Sequence, residues 1–148
     1  MNIMKIKKVT IKNLKEIKNI SKKFNFELNR DWKGLIYSDN SEMFILLDKD
    51  DIIGFTGLIY YKWNNTIQIS NIFIKPEYRK KGLGLKLVTF LIKRAKKTKY
   101  RCLIAEAPSL NLVKELYKKA GFRKCGYNDR YYQNSRKEIA IWMSLDLK

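Results

Sequence analysis

The stretch 66–97 limits what this 148-residue chain can fold into more than any other part of it. Residues 66–74 alternate as a strand does, with Ile67, Ile69 and Asn71 on one side and Gln68, Ser70 and Ile72 on the other. Pro76 ends the alternation. A loop of cations and glycines follows, with Arg79, Lys80 and Lys81 ahead of Gly82, Leu83 and Gly84. Residues 83–97 then carry the apolar stripe of a helix at Leu83, Leu87, Phe90, Leu91 and Ala95. A strand that feeds a helix in this way leaves unpaired amide N–H groups and the positive end of the helix dipole at the loop. Glycines let that backbone close on an anion with no Cβ in the way. A turn of this kind can cradle a pyrophosphate. The loop matches neither the G-x-x-x-x-G-K-S/T loop nor the G-x-G-x-x-G fingerprint, and on its own it reads first as a solvated strand-to-helix connection.

The remaining elements follow from the same periodicities. Residues 3–9 alternate loosely and read as a first strand. Asn13 with Glu16 reads as a capping box ahead of Leu14, Ile17, Ile20 and Phe24 at helical spacing. Residues 28–40 are irregular, with Leu35 and Ile36 anchoring a short helix or loop. Residues 43–47 and 52–63 are apolar runs separated by a polar turn, and Gly54 and Gly57 mark bends or bulges in the second. Asn64-Asn65 is the next turn. After the long helix come a short strand at 101–107, a helix at 111–120 stopped by Gly121, and strands at 122–127 and 138–147. The expected fold is a mixed α/β sheet with helices on its faces, in a single domain over residues 1–148.

Composition excludes several chemistries. There is no histidine, so Ser-His-Asp and Cys-His catalysis are impossible. Cys102 and Cys125 stand far apart with no C-x-x-C spacing, so no metal site is expected; Cys102 lies in an apolar run and reads as core. A general base must be a carboxylate, Tyr, Lys, Cys or water. No segment reads as a signal peptide or a membrane span, and cysteine usage fits the cytoplasm. The formal charge of +18 attracts polyanions, including nucleic acid, or else reflects a lysine-rich composition.

The order Pro-Glu-Tyr, then R-x-x-G-x-G, after an apolar strand resembles the signature of the GNAT acetyltransferase superfamily. Leu116-Tyr117-Lys118-Lys119-Ala120-Gly121-Phe122 looks like the L-Y-x-x-x-G-F element of that family, with Asn111 ahead of it. The resemblance spans roughly residues 3–147 and implies a mostly antiparallel central sheet with helices on both faces. It also implies acetyl-CoA as cosubstrate. The backbone of Ile72, Phe73 and Ile74 would pair with the pantetheine arm. Lys80, Lys81, Gly82, Leu83, Gly84 and Leu85 would wrap the pyrophosphate, with charge from Arg79. Asn111 would contact the cofactor near the thioester; otherwise it is a cap or turn residue. Tyr117 would protonate the departing thiolate; otherwise it is a core aromatic. Asn111 stands six positions before Tyr117 where many relatives have seven, and a deletion of one residue accounts for it.

The general base is less determined. The strand glutamate of some family members falls at Gln68, which is a poor proton acceptor. Glu106 aligns with the catalytic glutamate of RimI-like protein N-terminal acetyltransferases, and a relayed water is its competitor. Arg130-Tyr131-Tyr132 with Ala140 and Met143 resembles the C-terminal region of the same group, in which tyrosines flank the peptide. Tyr131 and Tyr132 are thus substrate candidates, or packing residues of a hairpin. The expected activity is acetyl transfer to a primary amine, foremost a protein or peptide N-terminus in a ribosomal or nascent-chain setting. The alternative acceptor is a small amine: a polyamine, an amino acid or an aminoglycoside. A basic nucleic-acid-binding module is a third reading. The sequence leaves monomer and homodimer open.

Overall fold

The computed structural model describes residues 4–148. Two compact units are built from them. One comprises residues up to Ile59 with Ser70–Leu87, and the other Tyr60–Ile69 with Val88–Lys148.

In the first unit, β1 (Met4–Lys8), β2 (Ser41–Asp48) and β3 (Asp51–Tyr61) pair antiparallel in sequence order. The second half of β4 (Thr66–Ile74) lies next to β3. Both faces are apolar and covered. On one, α1 (Leu14–Lys23) and α2 (Trp32–Tyr37) bring Ile17, Ile20 and Trp32 onto Met43, Ile45, Leu47, Ile52, Phe55 and Phe73. Phe26 fills the centre, its ring 4.9 Å from Phe73 and 5.9 Å from Phe55. On the other, Leu87 and Leu83 of α3 (Leu83–Lys96) pack against Leu46, Ile53 and Ile74. Each large side chain buried this way contributes about 1.5–3 kcal/mol.

A bulge makes the two faces possible. Leu46 pairs with Gly54 and Leu47 with Ile52, so Ile53 is an extra residue on β3. It shifts the parity of the strand. Ile52 and Phe55, three positions apart, therefore share one face while Ile53 turns to the other. The predicted bulge is thus present, but neither glycine is the extra residue. Gly54 and Gly57 serve close approach instead. A Cβ at Gly54 would sit 2.6 Å from the Phe73 carbonyl oxygen and 2.8 Å from Ile74 Cδ1. One at Gly57 would sit 2.6 Å from Ser70 Oγ.

In the second unit, Thr66, Ile67 and Gln68 of β4 pair in parallel with Cys102, Leu103 and Ile104 of β5 (Cys102–Pro108). β7 (Ala140–Asp146) lies antiparallel between β5 and β6 (Arg123–Asn128). The seven strands and the helices give the expected mixed, mostly antiparallel architecture. The last helix, α4 (Val113–Lys119), ends as predicted at Gly121, whose φ of 103° suits glycine. Phe122 N–H donates to the Tyr117 carbonyl at 3.0 Å and Gly121 N–H to that of Lys118 at 3.0 Å, the Schellman pattern. The Tyr117 and Phe122 rings, 5.2 Å apart, supply its apolar contact.

Several sequence expectations change, among them the strand expected over 138–147, since β7 begins at Ala140. Ile3 lies outside the described residues, and Val9 follows β1 rather than ending it. Asn13 makes no cap with Glu16. Its Oδ1 accepts from the Thr10 N–H at 3.0 Å and closes a 3-10 turn at Ile11–Asn13. Residues 111 and 112 precede α4 instead of beginning it.

The crowding at Gly54 gives a direct test. Gly54→Ala should destabilise the fold by about 1–3 kcal/mol, because its new methyl meets backbone that cannot move aside. Urea unfolding should show a lower midpoint with an unchanged slope.

Candidate active site

The loop after β4 is tied to the strands that deliver it. Lys75 N–H donates to the Ile53 carbonyl at 2.8 Å, and Arg79 Nε to the Ile74 carbonyl at 2.8 Å. The Arg79 guanidinium also lies over the Phe73 ring, 5.6 Å from its centroid. Arg79 is therefore a strut between strand end and loop, a role sequence reasoning did not assign. Pro76–Tyr78 forms a 3-10 turn. The Tyr78 hydroxyl donates to Asp48 at 3.3 Å, and Lys81 Nζ stands 5.6 Å from the Tyr78 ring.

The backbone then takes two left-handed residues, Lys80 at φ 61° and Gly82 at φ 79°. Lys80 bears this conformation with a side chain, at a cost of order 1 kcal/mol. At Gly82 a Cβ would meet nothing within 4 Å. Glycine is favoured there by the backbone angle, and the space beside it is open. Helix α3 begins at once, with Lys86 N–H bonded to the Gly82 carbonyl at 3.1 Å. Leu83, Gly84 and Leu85 form its first turn. An anion held there meets helix-end amides and the exposed Lys80 and Lys81.

The strand feeding this loop is held by side chains. Arg30 Nη2 donates to the Ser70 carbonyl at 2.8 Å, with Arg30 Nε fixed by Glu27 at 2.7 Å. Thr56 Oγ1 donates to the Asn71 carbonyl at 2.7 Å. The parallel ladder to β5 covers only Thr66, Ile67 and Gln68. Ile72, half-buried, and Phe73 and Ile74, buried, lie beyond it as the last residues of β4. Sequence reasoning missed Arg30 and Thr56, because nothing local marks a donor whose partner lies 40 or 15 positions away.

The second unit gathers a carboxylate and aromatic rings. Glu106 on β5 pairs across the ladder with Trp142 on β7. The Tyr132 hydroxyl donates to Glu106 Oε2. Tyr131 stands edge-on to Tyr132 at 5.1 Å and to Trp142 at 5.5 Å. Glu106, Tyr131 and Tyr132 thus come together from 25 residues apart or more, with Trp142 as a wall that the sequence did not announce. Burial, then the Glu106 carboxylate, pushes the Tyr132 phenol well above its ordinary pKa. Tyr117 is 2% exposed, inside its unit. Asn111 is exposed, and its Oδ1 accepts from Val113 N–H at 2.9 Å. Gln68 Oε1 accepts from the Tyr61 hydroxyl at 3.2 Å. Cys102 is buried, which raises its thiol pKa, and Cys125 is exposed.

Tyr132 carries a pH prediction. Its folded pKa lies above that of the unfolded phenol, so its contribution to stability is complete below about pH 10 and is lost as pH rises beyond. Tyr132→Phe should leave the phenolate absorbance of the native protein at about pH 11 unchanged, while the unfolded variant loses one tyrosine's worth. A drop in the native signal would show that Tyr132 ionises normally.

Comparison with known proteins completes the picture. Residues 11–122 match the Acetyltransferase (GNAT) family. The chain is 30% identical over 110 residues to streptothricin acetyltransferase of Streptomyces lavendulae, covering 72% of this chain and 58% of that protein. It is likewise 30% identical over 106 residues to a Bacillus subtilis (strain 168) protein bearing the name ribosomal protein bS18-alanine N-acetyltransferase, covering 70% of this chain and 69% of that one. The fold is shared with spermidine N-acetyltransferase from Vibrio cholerae, solved in complex with CoA and spermine, at a TM-score of 0.80 and 17% identity over 97% of this chain and 95% of that one. With the strand, loop and helix of its first unit in the order the family signature requires, the chain belongs to the GNAT acetyltransferase family.

Proposed function

We propose that this chain, as one N-acetyltransferase domain, moves the acetyl group of acetyl-CoA directly onto the α-amine of a protein or peptide N-terminus. The observation that supports this reading is the Glu106 carboxylate beside Tyr131, Tyr132 and Trp142. These are the positions at which the RimI-like pattern has its base and its peptide-flanking tyrosines. The Bacillus subtilis relative supports the same acceptor class.

The loop 79–85 receives the diphosphate, and the end of β4, with Ile72, Phe73 and Ile74, pairs with the pantetheine arm. Asn111 contacts the cofactor near the thioester. The amine nitrogen attacks the thioester carbonyl. Glu106, or a water it orders, takes the proton released from nitrogen, and Tyr117 gives its proton to the departing sulfur. No acyl-enzyme forms, so the enzyme supplies orientation and proton handling. An N-terminal α-amine, with a pKa of about 8, needs less help to lose its proton than a lysine side chain at about 10.4. Such chemistry fits a cytoplasmic protein. Among the described residues no helix is long and apolar enough to cross a membrane.

A second reading replaces the peptide with a small-molecule amine. The similarity to streptothricin acetyltransferase supports it. The formal charge of +18 weighs against polycations, which a positive surface repels.

Labelled acetyl-CoA offered to N-terminal peptides, polyamines and aminoglycosides separates the readings. Label at the peptide α-amine is expected; label on small amines alone would support the second. Tyr117→Phe should lower kcat by about 10²–10⁴-fold and leave CoA affinity nearly unchanged. Equal losses in rate and affinity would remove Tyr117 from the role of acid.

A further inference from the structure

The second unit carries a basic surface that the proposed acetyl transfer does not use. Within the unit, the stretch from Val88 to Ala105 has no Asp or Glu. Two connections within this unit are clamped together. In the β3–β4 turn, Asn65 is left-handed at φ 56°, and Thr66 Oγ1 donates to Asn64 Oδ1 at 2.8 Å. Arg101, from the α3–β5 connection, donates its Nε to the Asn64 carbonyl at 3.0 Å and its backbone N–H to the Asn65 carbonyl at 2.9 Å. The Tyr60 and Tyr100 rings meet at 5.2 Å between the same two segments. Thr98 fixes the α3 end, donating its hydroxyl to the Ala95 carbonyl at 2.6 Å and accepting from Tyr100 N–H at 3.2 Å.

These clamps hold Trp63 in water, 84% exposed. An indole left in solvent forgoes a large burial gain, and the turn is already fixed by Asn64, Asn65 and Arg101. Lys62, Lys97, Lys99 and Arg101 are exposed on the same two connections. Compensation of the α3 dipole accounts for Lys96 and Lys97 but for neither Lys62 nor Trp63. Asp146 is a carboxylate near Arg101, opposite Cys102 in the β5–β7 ladder.

We propose that the turn 62–65 and the connection 97–101 form a docking surface for single-stranded RNA. An unstacked base lies on the Trp63 ring, and phosphates lie on Lys62, Lys97, Lys99 and Arg101. A single exposed aromatic face can stack only on a base that is free of its neighbours, which a duplex does not offer. One exposed indole, with the polar Asn64 and Asn65 next to it in the chain, gives too little apolar area to anchor in a bilayer.

Fluorescence anisotropy with a labelled oligouridylate of about 12 nucleotides tests this on the full chain. Four phosphate contacts give an expected slope of about −3 for log affinity against log salt. Trp63→Ala should weaken binding about tenfold with the slope unchanged. Lys97→Ala with Lys99→Ala should make the slope shallower by about 1.4. Both changes lie in exposed connections, and thermal melting checks that the fold persists. Four outcomes would overturn the proposal: no binding at low salt, no effect of Trp63→Ala, equal affinity for duplex RNA or phosphatidylserine vesicles, or release of the RNA by saturating CoA, which would assign it to the loop at Arg79–Lys81.

Discussion

Three carbonyls near the end of β4, those of Ser70, Asn71 and Ile74, accept hydrogen bonds from the side chains of Arg30, Thr56 and Arg79. The first unit depends on these contacts. A buried carbonyl must find a donor, and removing one leaves a desolvated acceptor at a cost of about 1–3 kcal/mol. Here the donors come from the α1–α2 connection, from β3 and from the loop that follows β4. The strand is thereby kept extended up to the residue at which the loop begins. Phe73, held on its apolar face by Phe26 and Phe55 and flanked by Arg79, ties that polar framework to the core.

The loop inherits its shape from this support. Its left-handed residues, Lys80 and Gly82, stand between a strand end fixed by Arg79 and a helix that starts with the Gly82 carbonyl. Strain at Lys80 persists because both neighbours are held. The second unit is organised differently. There a carboxylate on β5 is brought beside rings from β7 and from the segment before it, so its surroundings are set by strand register.

Local signals were legible where a single element carried them. Alternation, Pro76 and the glycines give β4, the loop and α3 nearly to the residue, and Gly121 marks the end of α4 because a left-handed C′ position favours glycine. The bulge at Ile53 was not legible in position, since the apolar run 52–63 continues unbroken through the change of face. Gly54 and Gly57 look like bends in the sequence because crowding by Phe73 and Ser70 exists only once the strands are paired. The bond from Arg79 to the Ile74 carbonyl was not legible for the same reason: that acceptor is a property of the folded turn. In the candidate site, Glu106, Tyr131 and Tyr132 could be named from the family resemblance, whereas Trp142 enters only through its pairing with Glu106.

The proposed acetyl transfer requires the backbone around Gly82 to grip a diphosphate. Titration calorimetry of the folded protein with coenzyme A, with dephospho-coenzyme A, which keeps the diphosphate, and with pantetheine, which lacks the diphosphate and the adenosine beyond it, tests that grip. Coenzyme A and dephospho-coenzyme A should bind with a Kd in the micromolar range, and pantetheine on the order of 100-fold more weakly. No heat with coenzyme A, or equal affinity for all three ligands, would contradict the account.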